Sequence, residues 1–272
     1  KIFVLLGDIG VFGFRKVFNK YKRNILNLGI LEQSMVSFSA GMALENKIPF
    51  VHTIAPFLVN RAYEQIKIDL CYQNLNVNIV SVGASLDYAA LGSTHHCPED
   101  VGILNQLPNI SIYVPGNSNE LFKLFKNYKK KGPKYFRISS NFHKKNININ
   151  NGASIVKKGK RGLIIVIGTA LRFIENSLKD INANIVYLNC VKPLNTNVLK
   201  KYYKKKIIII QDFYNGSISY DIRKIYNEKP IILKEIGLPK KFFLQYGRSS
   251  QHYEHLGLTE KNIIKKINKF FN

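Results

Sequence analysis

Glu32 is the acid in this 272-residue sequence whose setting invites chemistry. It follows a short apolar run, Asn24-Ile25-Leu26-Asn27-Leu28, that reads as a strand. It opens a stretch in which Met35, Phe38 and Met42 recur at helical spacing. A carboxylate in the first turn of a helix complements the helix dipole. At the carboxyl end of a strand it can also face a ligand, because open α/β sheets bind ligands at that edge. His95 and His96 stand side by side in the loop Gly92-Ser93-Thr94-His95-His96-Cys97-Pro98-Glu99-Asp100. No third ligand accompanies them at metal-binding spacing, so no metal site is assigned. Asp8, in the turn Gly7-Asp8-Ile9-Gly10, is either a helix cap or a site residue. Phe57 offers a flat apolar ring, and Arg137 a fork that can pair two oxygens of an anion at once.

The elements that must position these groups read as α/β. Ile2-Phe3-Val4-Leu5-Leu6 and Leu163-Ile164-Ile165-Val166-Ile167 are continuous apolar runs, as expected of strands buried on both faces. Pro49-Phe50-Val51-His52-Thr53 and Val77-Asn78-Ile79-Val80-Ser81-Val82 are further strands, as are residues 107–114. Residues 57–72 form a helix with Leu58, Ala62, Ile66 and Leu70 at four-residue spacing. Residues 117–128 form an amphipathic cover helix, and 132–139 an edge strand that closes the first domain. Residues 170–178 are read as a helix after the strand at 163–167. Strands at 185–188, 207–212 and 231–233 follow. Strands alternating with helices imply mostly parallel sheets with right-handed crossovers. The expected organisation is two consecutive domains, 1–142 and 153–272, each a mostly parallel sheet flanked by helices. The polar, Asn-rich stretch 143–152 serves as linker.

Composition narrows the classes. No run of about 18 apolar residues is present, so no membrane span is expected. Gly7-Asp8-Ile9-Gly10 lacks the dinucleotide-binding glycine spacing. Cys71, Cys97 and Cys190 are too scattered for a disulfide framework, which fits a cytoplasmic protein. The formal charge of +24 raises nucleic-acid binding. The lysines, however, are spread over helix faces and turns without any nucleic-acid motif, so neither nucleic acid nor membrane is an expected partner.

Three stretches resemble the pyrimidine-binding domain of transketolases. They are Gly29-Ile30-Leu31-Glu32-Gln33 with the Ala-Gly-Met-Ala helix after it, Phe57-Leu58-Val59-Asn60-Arg61-Ala62-Tyr63-Glu64-Gln65-Ile66, and Gly92-Ser93-Thr94-His95 with Glu99-Asp100. The resemblance implies that Glu32 activates thiamine diphosphate, that Asp8 lies near the cofactor pyrimidine and that Phe57 stacks on it. It further implies that His95 faces substrate and that Arg137 binds a substrate phosphate. Gly168-Thr169-Ala170, Lys192-Pro193-Leu194 and Gly257-Leu258-Thr259 resemble the transketolase C-terminal domain. The family's Gly-Asp-Gly motif for magnesium and diphosphate has no counterpart here. The resemblance therefore implies the C-terminal subunit of a split transketolase, working with an N-terminal diphosphate-binding subunit in an α2β2 heterotetramer. The magnesium ligands fall to that partner, and the substrates are sugars or sugar phosphates. Sugar-phosphate transketolases commonly carry His at the position of Gly83 and Asp at that of Leu91, which puts the usual pentose phosphates in question. The beta subunit of a 2-oxo acid dehydrogenase, a deoxyxylulose phosphate synthase fragment and a non-catalytic scaffold are the other readings.

Overall fold

The computed structural model describes residues 1–272. Two sheets are present, each parallel apart from one strand. The first is built from β1 (Ile2–Leu6), β2 (Ile25–Asn27), β3 (Ile48–Ile54), β4 (Asn78–Val82), β5 (Ser111–Tyr113) and β6 (Lys134–Arg137). The second comprises β7 (Ala153–Lys157), β8 (Leu163–Ile167), β9 (Asn184–Leu188), β11 (Lys206–Tyr214) and β12 (Ile232–Leu238). One strand crosses over: β10 (Cys190–Lys192) leaves the second half of the chain and pairs antiparallel with β5. The strand order is β10-β5-β6-β4-β3-β1-β2 in the first sheet and β12-β11-β8-β9-β7 in the second.

The apolar runs become strands because both sheet faces are covered. Every residue of Leu163–Ile167 is fully buried, as are Ile207 to Ile210. One continuous core joins Leu5, Val51 and Ile79 of the first sheet to Leu163, Ile165 and Ile207 of the second. The helices are α1 (Val11–Phe18), α2 (Glu32–Leu44), α3 (Tyr63–Gln65), α4 (Asp100–Asn105), α5 (Ser118–Phe125), α6 (Thr196–Lys201), α7 (Ser219–Ile225), α8 (Ser249–His255) and α9 (Glu260–Phe271). None is long and apolar enough to cross a membrane.

Four details differ from the sequence expectation. The strand at 132–139 is not an edge: β6 lies between β4 and β5, and all four of its residues are buried. The helix expected at 170–178 is only a 3-10 turn, Gly168–Phe173, whose Thr169 and Arg172 point back to Asp212. The stretch 143–152 is not simply a solvated linker. His143 is buried, with its Nε2 atom 3.1 Å from both Glu120 Oε1 and the Tyr187 hydroxyl. The helix at 57–72 forms, but as α3 between two π-helical segments, Phe57–Arg61 and Ile66–Tyr72. That last difference has a geometric cause. In an α-helix a strict four-residue repeat drifts by about 40° per step. Turns closed by i→i+5 bonds hold more residues and offset the drift. Leu58, Ala62, Ile66 and Leu70 thereby stay on one face, all fully buried.

Candidate active site

The carboxyl ends of the first sheet's strands gather most of the groups singled out above. Beyond β2, the chain turns at Gly29 and enters α2 at Glu32, which is 1% exposed. Its Oε2 atom accepts a hydrogen bond from Arg61 Nη1 at 2.7 Å, while Oε1 has no partner within the chain. Arg61 comes from the π-helical turn after β3, and its guanidinium lies 4.6 Å from the centre of the Phe57 ring. The other neighbour of Phe57 is His95, packed edge-on with ring centres 5.1 Å apart. Glu32, Arg61, Phe57 and His95 thus form one contiguous chain of contacts. A π-helical turn inserts a residue relative to an α-helix and is frequent at functional sites.

The loop 83–99 that carries His95 is tied down on several sides. Thr94 Oγ1 lies 2.9 Å from His95 Nδ1. Asn60 Nδ2 donates to Glu99 Oε1 at 2.6 Å, joining the end of the loop to the π-helical turn. Burial pushes the Glu99 carboxyl up, and the bond from Asn60 partly counters it. Ser85 and Cys97 exchange backbone hydrogen bonds at the loop's neck. The second half of the chain holds the rest. Ser93 Oγ donates to the Phe243 carbonyl at 2.7 Å, and the His96 ring packs beside Phe243 and His252. Burial pushes the His96 imidazole below its ordinary pKa.

Asp8 lies at the same edge, at the end of β1. Its carboxylate accepts from Asn27 Nδ2 at 3.1 Å, and its backbone N–H donates to Asn27 Oδ1 at 3.0 Å. The side chain is exposed, and its backbone adopts φ +62°. It therefore clips the ends of β1 and β2 together and leaves an acid facing solvent at this sheet edge.

Arg137 does not join this group, which corrects the expectation of a substrate-phosphate contact. Packed between α4 and β11, its guanidinium is out of solvent, and its donors are engaged by the protein. Nε donates to Asp100 at 2.8 Å, Nη1 to Asp212 at 3.0 Å and Nη2 to Ser85 Oγ at 2.5 Å. Burial alone would push its pKa down, but Asp100 and Asp212 outweigh that and hold it above its ordinary value. Asp100 also accepts from Tyr135, while Asp212 accepts from Thr169 and Arg172. Burial pushes the Asp212 carboxyl up, yet Arg137 and Arg172 hold it below its ordinary value. This network joins the two sheets and anchors the neck of the His95 loop through Ser85.

Sequence reasoning passed over Arg61, Asn27 and Tyr88. Arg61 lies inside one of the transketolase-like stretches, but its partner Glu32 precedes it by 29 residues. Tyr88 carried no signal: it is placed by Gly83, over which its ring lies.

An aminopyrimidine fits the residues present. Arg61 already holds a flat, nitrogen-bearing group against the Phe57 ring while donating to the Glu32 carboxylate. Residues 9–143 match the pyrimidine-binding domain of transketolase. That match spans the family's pyrimidine-binding domain, and in fold and extent the whole chain resembles a subunit of a split-gene transketolase. It is 28% identical to one of the subunits of the apulose-4-phosphate transketolase of Actinobacillus succinogenes, over 90% of this chain and 84% of that protein. It is 26% identical to an uncharacterised 33.6 kDa protein of the fasciation locus of Rhodococcoides fascians, over 98% of this chain and 88% of that one. Among solved structures it resembles a split-gene transketolase described as an inactive beta4 tetramer. The TM-score there is 0.84 at 24% identity, covering 100% of this chain and 92% of that one.

Proposed function

We propose that this chain is the pyrimidine-side subunit of a two-chain, thiamine diphosphate-dependent transketolase that moves a two-carbon ketol unit between sugar substrates. The observation that carries the reading is the run Glu32–Arg61–Phe57–His95 at one sheet edge. Glu32 and Phe57 would hold the cofactor's pyrimidine, with Asp8 close by. When bound, the cofactor supplies the electron sink that makes cleavage of a carbon–carbon bond next to a carbonyl feasible. Glu32 would hydrogen-bond the pyrimidine ring and exchange a proton with it. Phe57 fixes the plane of that ring. Arg61 moves off Phe57 to admit it, an easy motion because its side chain is 43% exposed. His95, oriented through Nδ1 by Thr94, keeps Nε2 free to orient and exchange a proton with a substrate hydroxyl.

Magnesium and diphosphate would be held by an N-terminal partner subunit, in an α2β2 assembly. Gly83 and Leu91 withdraw two polar groups that pentose phosphates use elsewhere in the family, so a modified sugar is the favoured substrate. The relative named for apulose 4-phosphate supports that choice. Calorimetry with thiamine diphosphate and magnesium tests the reading. The isolated chain should bind weakly and turn nothing over, and adding the diphosphate-binding subunit should restore both. Tight magnesium-dependent binding and full activity in the isolated chain would refute it.

A further inference from the structure

The loop that carries His95 also places a second aromatic residue beside it. Gly83 sits at φ +83°, and a Cβ there would lie 2.2 Å from Cε2 of Tyr88. Only glycine leaves that space, and the Tyr88 ring fills it. From there the ring stands perpendicular to His95, with centres 6.4 Å apart. His95 is therefore flanked by Phe57 and by Tyr88. Thr94 occupies His95 Nδ1, while neither His95 Nε2 nor the Tyr88 hydroxyl has a partner within the chain. Both side chains are half-buried. Two unengaged polar groups on neighbouring rings suit a polyol, which carries hydroxyls on consecutive carbons. The turn Ala89–Leu91 then adds an apolar rim: Leu91 is 52% exposed, and Tyr246 packs against Gly92.

We infer that Tyr88 is a specificity-determining residue, its hydroxyl donating to the sugar oxygen adjacent to the one that meets His95, with Leu91 facing carbon rather than oxygen. Burial, and then the nearby Asp87, raise the Tyr88 pKa, so the group is a neutral O–H donor at pH 7. The substrate class this selects is a sugar with two adjacent oxygens at the reacting end and a deoxygenated or carbon-branched position beside Leu91. The inference rests on the proposed role of His95 and deepens it.

Tyr88→Phe removes the hydroxyl and keeps the ring over Gly83, so packing is preserved. In the complex with the diphosphate-binding subunit, KM for the sugar should rise about three- to tenfold, the usual range for one lost neutral hydrogen bond. Turnover number and thermal midpoint should stay within twofold and about 1 °C. Leu91→Asp should improve KM for xylulose 5-phosphate relative to wild type. Independently, the ζ-carbon NMR resonance of Tyr88 in labelled enzyme should move on adding sugar. An unchanged KM in Tyr88→Phe, or a resonance that does not move, overturns the assignment. If sugar shifts the resonance but no ketol transfer occurs, the assignment stands and the transketolase reading falls.

Discussion

Replacing Arg137 separates two roles that make opposite demands on stability. The expectation from resemblance gave Arg137 a substrate phosphate, whereas the structure buries it between Asp100 and Asp212. Arg137→Met keeps most of the volume and removes the charge. Asp212 retains Arg172 at 3.3 Å and the Thr169 hydroxyl, but Asp100 loses its only ion-pair partner while staying fully buried. Breaking a buried pair from one side costs about 3–5 kcal/mol, because a desolvated charge is left without its counter-charge. At about 2 °C per kcal/mol for a chain of this size, the melting midpoint should fall by at least about 6 °C. Arg137→Lys should fall between, since it keeps the charge but not the fork that reaches both carboxylates. The acid limb offers a second check. Asp212 is held below its ordinary value, so its contribution is full above the unfolded value of about 3.9 and is lost as pH falls through the folded value. Arg137→Met should flatten that loss below about pH 4. Differential scanning calorimetry on the isolated chain, from pH 7 downward, measures both effects. A midpoint within about 1 °C of wild type, with a raised KM for phosphorylated sugars, would refute the buried-clamp assignment.

Glu32→Ala in the assembled enzyme should lower turnover by about 10²–10⁴-fold, the range for a general acid–base group. Its melting midpoint should hold, because the partner it strands, Arg61, is already 43% exposed and hydrates; a midpoint loss as large as that of Arg137→Met would contradict this. Phe243→Ala should speed amide exchange at His95 and Cys97, since it strips packing from His96 and His252, while Val51 in β3 stays protected. Equal protection in the variant would show that the second half does not hold the loop. His96 has a lowered pKa, so its neutral form is the folded one. Its contribution is full above about pH 6.5 and falls as pH drops below that, when a charged His96 would face His252 and His95. The protection factors of residues 92–97, taken relative to the intrinsic exchange rate at each pH, should therefore fall below about pH 6.5 in wild type and respond less in His96→Asn.

The sheets were legible because burial on both faces demands uninterrupted apolar strands, and Leu163–Ile167 or Ile207 to Ile210 could hardly be anything else. What escaped notice was short or depended on distant pairing. Cys190-Val191-Lys192 has no strand pattern of its own and becomes β10 only because β5 offers an open edge. β5 in turn pairs with β6 on its other side, which makes β6 an interior strand. The 3-10 turn at Gly168–Phe173 has a similar origin: continuing as a helix would carry Thr169 and Arg172 away from Asp212.

The site shows the same division between local and distant determinants. Glu32, Phe57 and His95 were singled out by the resemblance of three short stretches to transketolases, and the structure brings their side chains together at one sheet edge. Their mutual contacts were not written in any one stretch, because Arg61 links them across 29 residues to Glu32 and the Phe57–His95 contact joins the π-helical turn to the 83–99 loop. Arg137 failed as a site residue for a physical reason. An arginine reads as an anion-binding group until its counter-charges are known, and these lie 37 and 75 residues away. Tyr88 is the converse case. Its type suggests nothing, but the glycine at position 83 creates the space, and the space aims the ring at His95. The substitution that takes a polar side chain from Gly83 is thus the one that admits another in its place. On the proposed reading, a sugar would therefore meet the neutral hydroxyl of Tyr88 where relatives offer an imidazole from position 83.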